Sequence, residues 1–189
     1  RVSMLTFVRL GERLTGSFGL VAAWLVMPLV LATVFEVFSR YALNDPTIWA
    51  YEIGYIATCT NFMFGLAFTL RERGHIRIDV LYTHFSDRTK AIVDVLSFVL
   101  LLLPLSFCLT LDLWTYAYDA YLIDEVTGES AWNPLVWPFR MTFFAGFGLL
   151  FVQGLMETIK LIYFLLGREL DPPGATVSTV GAGRPATHG

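Results

Sequence analysis

The sequence has few side chains that could perform chemistry. It contains 3 histidines and 2 cysteines among 189 residues. Cys59 and Cys108 lie among apolar residues without a second cysteine or a histidine at metal-ligand spacing. We therefore expect neither a metal site nor a disulfide framework, and we interpret both cysteines as small core residues. His75, His84 and His188 fall outside the long apolar stretches, which excludes a haem held between helices by paired histidines.

Catalytic motifs are missing as well. The chain has no Ser-His-Asp spacing, no glycine-rich phosphate loop and no His-Glu-x-x-His motif. Its formal net charge is -3, and it lacks the basic face or stripe that is typical of nucleic-acid binding. We therefore expect no catalytic residue, no cofactor and no nucleic-acid partner, and the chain is not predicted to be an enzyme.

Charge is scarce too, and its distribution indicates the fold class. Charged residues make up 15% of the chain against 56% hydrophobic residues, and the mean hydropathy is +0.61. A helix needs about 20 mainly apolar residues to cross the hydrocarbon core of a bilayer. Four segments meet that requirement, at about residues 18–38, 50–70, 91–114 and 138–166. They predict an all-α integral membrane protein with a four-helix membrane domain over residues 18–166.

Residues 1–17 and 167–189 flank this domain. Met4, Leu5 and Val8 share one helical face, which predicts an N-terminal amphipathic helix lying in the membrane interface. A continuous N-terminal extension of the first membrane helix is the alternative. The segment 167–189 is rich in proline, glycine, alanine, threonine and serine, and we expect it to be a flexible C-terminal tail.

The positive charges predict the orientation of the chain in the membrane. Eleven of the 13 Lys and Arg residues lie before residue 14, between residues 71 and 90, or after residue 159. The other two are Arg40 and Arg140. Because cytoplasmic loops retain positive charge during insertion, both termini and the middle loop are predicted to be cytoplasmic. The chain is thus expected to be a multi-pass protein with the other two loops outside.

Polar and aromatic residues gather at the predicted outer ends of the spans. Arg40 follows the first span and Glu52 enters the second, so the two are candidates to pair at the outer interface. Tryptophans at this end predict an aromatic belt of the kind that anchors membrane proteins. The belt would consist of Trp49, Trp114, Trp132 and Trp137.

The predicted inner side offers two close pairs of polar residues. His75 and Asp79 are four residues apart and would hydrogen-bond if their loop is helical; a solvated loop is the alternative. Glu157 and Lys160 are three residues apart on one helical face. They can neutralise each other or extend to the membrane interface.

Small residues and prolines predict local features of the spans. Pro28 and Pro104 lie within the first and third spans, where we expect kinks. Small residues in the second and fourth spans allow helices to approach closely. They are Gly54, Ala57, Gly65, Ala67, Ala145, Gly146, Gly148 and Gly154.

Three blocks of residues carry a family resemblance over about residues 18–165. The first is Ser39-Arg40-Tyr41 with Trp49 and Glu52, and the second is Arg-Gly-His-Ile-Arg-Ile-Asp at residues 73–79. The third comprises Gly128-Glu129-Ser130, Trp137-Pro138, Arg140, Gly146, Leu149-Leu150 and Gln153. With these blocks the sequence resembles the small membrane subunit (Q-type, DctQ-like) of tripartite ATP-independent periplasmic (TRAP) transporters.

The resemblance implies a role in a bacterial inner membrane. Such a subunit would pair with a large elevator-type permease that receives an organic acid from a periplasmic substrate-binding protein, in sodium-driven uptake. The small subunit would be a scaffold, or stator, with the substrate and ion sites in the large one. Its candidate structural or interface residues are Arg40, Trp49, Glu52, His75, Asp79, Glu129, Trp137, Arg140 and Gln153.

Two departures from the family pattern leave a second hypothesis open. Phe143-Phe144-Ala145 stand where a proline before the glycine is common, and the tail 167–189 has no counterpart in the pattern. The alternative is an accessory subunit of this type recruited to another membrane complex, for example a respiratory or photosynthetic one.

Overall fold

A computed structural model describes residues 2–72 and 86–167 of the chain. The regular structure of this part is helical, with one isolated antiparallel bridge between Val126 and Leu135. The elements are α1 Val2–Ala42, α2 Ala50–Arg71, α3 Asp87–Ser97, a π-helical turn Phe98–Leu102, α4 Leu103–Leu122 and α5 Trp137–Leu165. We refer to α3, the π-helical turn and α4 together as the third span.

Four of these helical stretches are long and apolar enough to cross a membrane, which confirms the predicted number. They cover Leu10–Ala42, Ala50–Arg71, Arg88–Leu122 and Trp137–Leu165. The second and fourth agree closely with the predicted spans. The first and third are longer, because helix continues beyond the apolar stretch that hydropathy detects.

The separate N-terminal amphipathic helix predicted over residues 1–17 is not observed. Helix α1 runs without a break for 41 residues, about 60 Å at 1.5 Å per residue. No proline interrupts it near residue 17, and the hydroxyls of Thr15 and Ser17 donate to the carbonyls of Gly11 and Arg13 within the helix. The alternative, a continuous extension of the first membrane helix, is therefore the observed one.

Pro104 is accommodated by a change of helical pitch. Proline has no N–H to donate to the carbonyl four residues earlier. The preceding N–H, of Leu103, donates to Phe98 five residues back, and the turn Phe98–Leu102 is π-helical. The expected disturbance at this proline is thus a π-helical turn, and α4 then continues to Leu122, eight residues beyond the predicted end.

Helix α5 is the centre of the bundle. It contacts α1, α2 and the third span, whereas α1 packs chiefly on α2 and the third span packs chiefly on α5. A small hydrophobic core lies between α1, α2 and α5. Its buried members are Ala22, Phe64, Ala67 and Leu149. The third span consequently flanks α5 on the side away from this core.

Gly146 brings α2 and α5 into close contact. A Cβ at this position would lie 2.7 Å from Met63 Cβ and 3.0 Å from the Met63 carbonyl oxygen. No side chain larger than hydrogen fits there without moving the Met63 backbone. The predicted role of small residues holds at Gly146, whereas Gly65 has nothing within 4 Å of an added Cβ.

The core-residue interpretation of the cysteines is only partly correct. Both thiols are free, Cys59 is half-buried and Cys108 is exposed on the third span. Cys108 lies opposite the α4 face that packs on α5, which is why it is not part of the core. Its side chain lies on the outer surface of the bundle.

Candidate functional site

The carboxylate of Glu52 is the centre of a polar cluster at the end of the bundle that carries residues 123–136. Glu52 lies in the first turn of α2 and is 2% exposed. Thr127 Oγ1 donates at 3.0 Å from both carboxylate oxygens, and Ser130 Oγ donates to Oε1. Two hydroxyls from a distant loop thus satisfy a buried charge, which fixes this loop to α2.

The fold of the loop presents these hydroxyls to Glu52. The Val136 N–H donates to the Glu125 carbonyl at 2.9 Å, which closes the base of the loop. At its tip Gly128 adopts φ +68°, and its N–H donates to Asn133 Oδ1 at 2.7 Å. Glycine suits this left-handed conformation because it has no Cβ. Thr127 is therefore positioned by the turn.

Arg40 does not pair with Glu52, contrary to the prediction. Its guanidinium contacts Glu36 Oε1, with Nη2 at 2.5 Å and Nε at 2.9 Å. Glu36 Oε2 accepts from the Thr47 N–H at 2.9 Å and from its hydroxyl. The i,i+4 spacing on α1 puts Arg40 beside Glu36, while Glu52 is turned towards Thr127.

Arg140 joins α4, α5 and the loop that connects them. Its Nη2 lies 2.6 Å from Glu125 Oε1, and Nη1 donates to the Tyr116 carbonyl at 3.2 Å. The guanidinium carbon lies 3.6 Å from the centroid of the Tyr116 ring, within cation–π range. Three contacts from one side chain thus stabilise the start of α5 against the end of α4.

The predicted tryptophan positions support helix packing at this end. Trp49 stacks on Phe35 with ring centroids 6.0 Å apart, and Trp137 meets Tyr121 edge-on at 5.6 Å. Glu129 is exposed and does not supply the contact to α2, which its neighbour Ser130 makes instead. In this loop the hydroxyls of Thr127 and Ser130, and not Glu129, form the hydrogen bonds to Glu52.

A second polar cluster joins α1 and α5 at the opposite end of the bundle. Of the two possibilities given for Lys160 and Glu157, a mutual ion pair is observed, with Nζ 2.9 Å from Oε1. Lys160 also forms an ion pair with Glu12 of α1, 148 residues away in sequence. Gln153, with no exposed surface, donates its Nε2 to Glu157 Oε1 at 3.2 Å. These contacts join the N-terminal part of α1 to α5.

Several residues of these clusters were not predicted. Glu12, Glu36, Thr127 and Glu125 form contacts between segments that sequence spacing does not relate. For Glu36 a signal existed, because a carboxylate four residues before Arg40 on one helix is a familiar ion-pair spacing. His75 and Asp79 lie outside the described residues, as does the predicted tail from residue 168 onwards.

The charged side chains of the two clusters form contacts within the chain. Within residues 2–72 and 86–167, no group of three or more His, Cys, Asp or Glu side chains could hold a metal ion. Glu52 and Glu157 accept hydrogen bonds, and Arg140 and Lys160 form ion pairs. The contacts of Glu52 and Arg140 join different elements, whereas those of Glu157 with Gln153 and Lys160 lie within α5.

Comparison with known families identifies the family of the chain. The family profile described as "Tripartite ATP-independent periplasmic transporters, DctQ component" matches residues 29–163. The chain belongs to the DctQ family. It is therefore a small subunit of a TRAP transporter, embedded in a membrane through several spans.

The DctQ match also indicates which proteins members of this family work with. Members of this family work with a large permease and a substrate-binding protein in TRAP systems. The matched region includes Glu52, the loop 123–136 and Gln153. Searches of curated proteins and of solved structures found no match to the chain.

Proposed function

We propose that this DctQ subunit is a non-catalytic scaffold for the large permease subunit of its transporter. The observation that carries the proposal is the uneven burial of the four spans. In the most apolar 18-residue stretch of each span, the buried share is 39% for α5, 11% for α1 and only 6% for the third span. A chain held together through α5 leaves two long apolar surfaces for lipid and for a much larger neighbour.

The polar clusters support a static role. Glu52 and Lys160 join elements far apart in sequence, and Arg140 joins α5 to the loop and helix that precede it. A scaffold needs such fixed contacts, because a moving domain has to slide against a rigid surface. We propose that the large partner is an elevator-type permease, and that it contains the substrate and ion sites for sodium-driven uptake of an organic acid.

The proposed location is the bacterial inner membrane, with both termini in the cytoplasm. Eleven of the 13 basic residues then lie on the cytoplasmic side, in accordance with the positive-inside rule. The loop 123–136 and Arg40 would face the periplasm, towards the substrate-binding protein. Single cysteines introduced at Asp45 and Gly167, in a Cys59→Ser, Cys108→Ser background, test this by labelling with an impermeant maleimide.

The predicted interface residues fall into three proposed groups. Glu52, Arg140, Trp49, Trp137 and Gln153 make contacts within the chain, so we propose that they stabilise the subunit itself. Arg40 and Glu129 are exposed, Arg40 with 55% of its side-chain surface, and are proposed to contact partners at the periplasmic face. His75 and Asp79 remain candidates for contacts on the cytoplasmic side.

Transport by the assembled system tests the scaffold role. Vesicles containing the large permease, the binding protein and this chain are given an inward sodium gradient and a set of labelled organic acids. Omitting the chain is expected to abolish uptake, whereas Arg40→Ala and Glu52→Ala are expected to lower uptake of all accepted acids in the same proportion. A changed order of preference among the acids in either variant, with assembly intact, would contradict a purely structural role.

A further inference from the structure

Asp112 is a charged residue on the outward face of the third span. It lies in α4 and is exposed in the isolated chain. The hydroxyl of Thr115 donates to the backbone carbonyl of Asp112, not to its carboxylate. In the part of the chain that the structure describes, no side chain or backbone group forms a hydrogen bond or an ion pair with that carboxylate.

The packing of α4 on α5 fixes the depth of Asp112. Two residues earlier, Thr110 Cγ2 lies 3.7 Å from the Cβ position of Gly148, and two residues later the Trp114 ring lies 5.2 Å from Phe144. Asp112 is therefore level with Gly146. Gly146 is about 9 Å along the helix from Arg140 and about 16 Å from Glu157, the charges that bound the apolar part of α5.

The neighbouring span gives the same depth. Gly146 packs on Met63, which lies within the charge-free stretch of α2 between Glu52 and Arg71. On α4 itself Asp112 lies at the outer end of the charge-free stretch of the third span, two residues, about 3 Å, from Trp114 of the predicted outer aromatic belt. A carboxylate on the outward face of a membrane span is costly without a partner.

The face around Asp112 has the spacing of a helix-packing surface. Leu101, Leu105, Cys108 and Asp112 follow one another at intervals of four, three and four residues, and all are exposed. The α4 residues buried against α5 are Ser106, Ala117 and Ala120, on the other side of the helix. We refer to the four exposed residues as the Asp112 face.

We propose that the Asp112 face docks against a helix of the large permease subunit that presents an arginine or lysine side chain to Asp112. The inference rests on the proposed function, which supplies the large subunit. A cation is the complement that this carboxylate requires, and Leu101 and Leu105 of the same face provide the apolar contact. The third span is the most apolar and the least buried of the four, which leaves it available for such contact.

A second copy of this chain is a poor occupant of the same face. The sequence has no Lys or Arg between Lys90 and Arg140, so a two-fold pair of third spans would bring carboxylates together without a cation. Arg140 already contacts Glu125. The cation must therefore come from a different protein.

Photo-cross-linking in the assembled transporter tests the docking. The photoreactive residue p-benzoylphenylalanine replaces Cys108, one helical turn from Asp112, and in a control it replaces Leu20 of α1, which is 62% exposed. We expect Cys108 to yield a cross-link to the large subunit. A complex that co-purifies intact but gives no such cross-link from position 108 overturns the inference and leaves the scaffold proposal standing.

Charge variants test the role of the carboxylate. Asp112→Lys is expected to lower recovery of the large subunit about tenfold, and Asp112→Asn less. Asp45→Lys, the same charge change in an exposed loop, should leave recovery unchanged. Exchanging the cross-linked arginine or lysine for aspartate should restore assembly with Asp112→Lys.

The Asp112→Asn variant distinguishes loss of the charge from misfolding of the chain. It removes the charge at constant volume, and the amount of this variant in the membrane and its helix content are measured alongside recovery. If Asp112→Asn binds the large subunit as well as the wild-type chain does, the carboxylate has no cationic partner and the inference is wrong. If the wild-type chain itself recovers no large subunit, the proposed function fails instead.

Discussion

Helix α5 is less apolar than the third span, yet a larger share of it is buried. The third span has the highest mean hydropathy of the four spans, 2.5, yet only 6% of its window is buried; α5 has 1.4 and is 39% buried. In a water-soluble protein the most apolar helix would be the most buried. In lipid, association depends on packing and hydrogen bonds, so the central helix can be the one that buries Gly146 and the polar side chains of Gln153 and Glu157.

This difference predicts which helix contacts stabilise the subunit and which surface binds a partner. Contacts of α5 with α1 and α2 should determine whether the chain folds, and the surface of the third span should determine what it assembles with. The four predictions below test that division, in decreasing order of expected effect on the isolated chain.

A large side chain at position 146, where α2 and α5 are in close contact, should have the largest effect on stability. Gly146→Leu places carbon atoms where Met63 now lies and forces α2 and α5 apart, at a cost of about 3 kcal/mol in unfolding free energy. The measurement is SDS-induced unfolding in mild detergent, followed by tryptophan fluorescence. Gly65→Leu is the matched control, since nothing lies within 4 Å of a Cβ at that position, and equal losses in both variants would refute the packing argument.

Removing the cation shared by α1 and α5 should have the next largest effect. Lys160→Met removes the cation that contacts both Glu12 and Glu157 and should cost about 2 kcal/mol, less than for a fully buried pair because the lysine is 21% exposed. The same unfolding assay measures it. Combining Lys160→Met with Glu12→Gln should recover part of the loss; a double variant less stable than the single one would show that the ion pair is unimportant.

Removing the buried carboxylate should loosen the loop 123–136 before it affects the helices. Glu52→Ala leaves the hydroxyls of Thr127 and Ser130 without their acceptor, at a cost of about 1 to 2 kcal/mol. Hydrogen exchange of the loop amides should accelerate, while exchange in α5 should change little. Glu52→Gln keeps an acceptor oxygen and should show a smaller change, so identical exchange in both variants would argue against these hydrogen bonds.

Truncating the exposed surface of the third span should have the smallest effect. Leu100 is 68% exposed, and Leu100→Ala removes few contacts within the chain. We expect a change in unfolding free energy below about 0.5 kcal/mol. A loss comparable to that of Gly146→Leu would mean that the third span contributes to the core and that the contrast with α5 is misplaced.

Hydropathy was sufficient to predict four membrane helices, because about 20 apolar residues in succession have few other uses. It could not locate the ends of α1 or of the third span, since helix continues through polar sequence wherever no breaker intervenes. The N-terminal segment illustrates this: its amphipathic pattern is compatible with an interfacial helix, yet α1 continues unbroken from Val2 to Ala42.

The polar clusters were harder to predict than the spans. The local pair Glu157 and Lys160 could be predicted from spacing, whereas the Glu12 contact depends on how α1 crosses α5. Arg40 and Glu52 were wrongly paired because both lie at the same end of the bundle. Their actual partners, Glu36 and Thr127, are set by side-chain direction and loop shape, which a single sequence does not specify.

Purification of the tagged chain from its native membrane in mild detergent, with mass spectrometry of all bound proteins, tests the central claim most directly. The scaffold proposal predicts one much larger polytopic permease in stoichiometric amount with the chain. Recovery of respiratory or photosynthetic subunits without such a permease would contradict it, and would identify the chain as a subunit of this family recruited to another membrane complex.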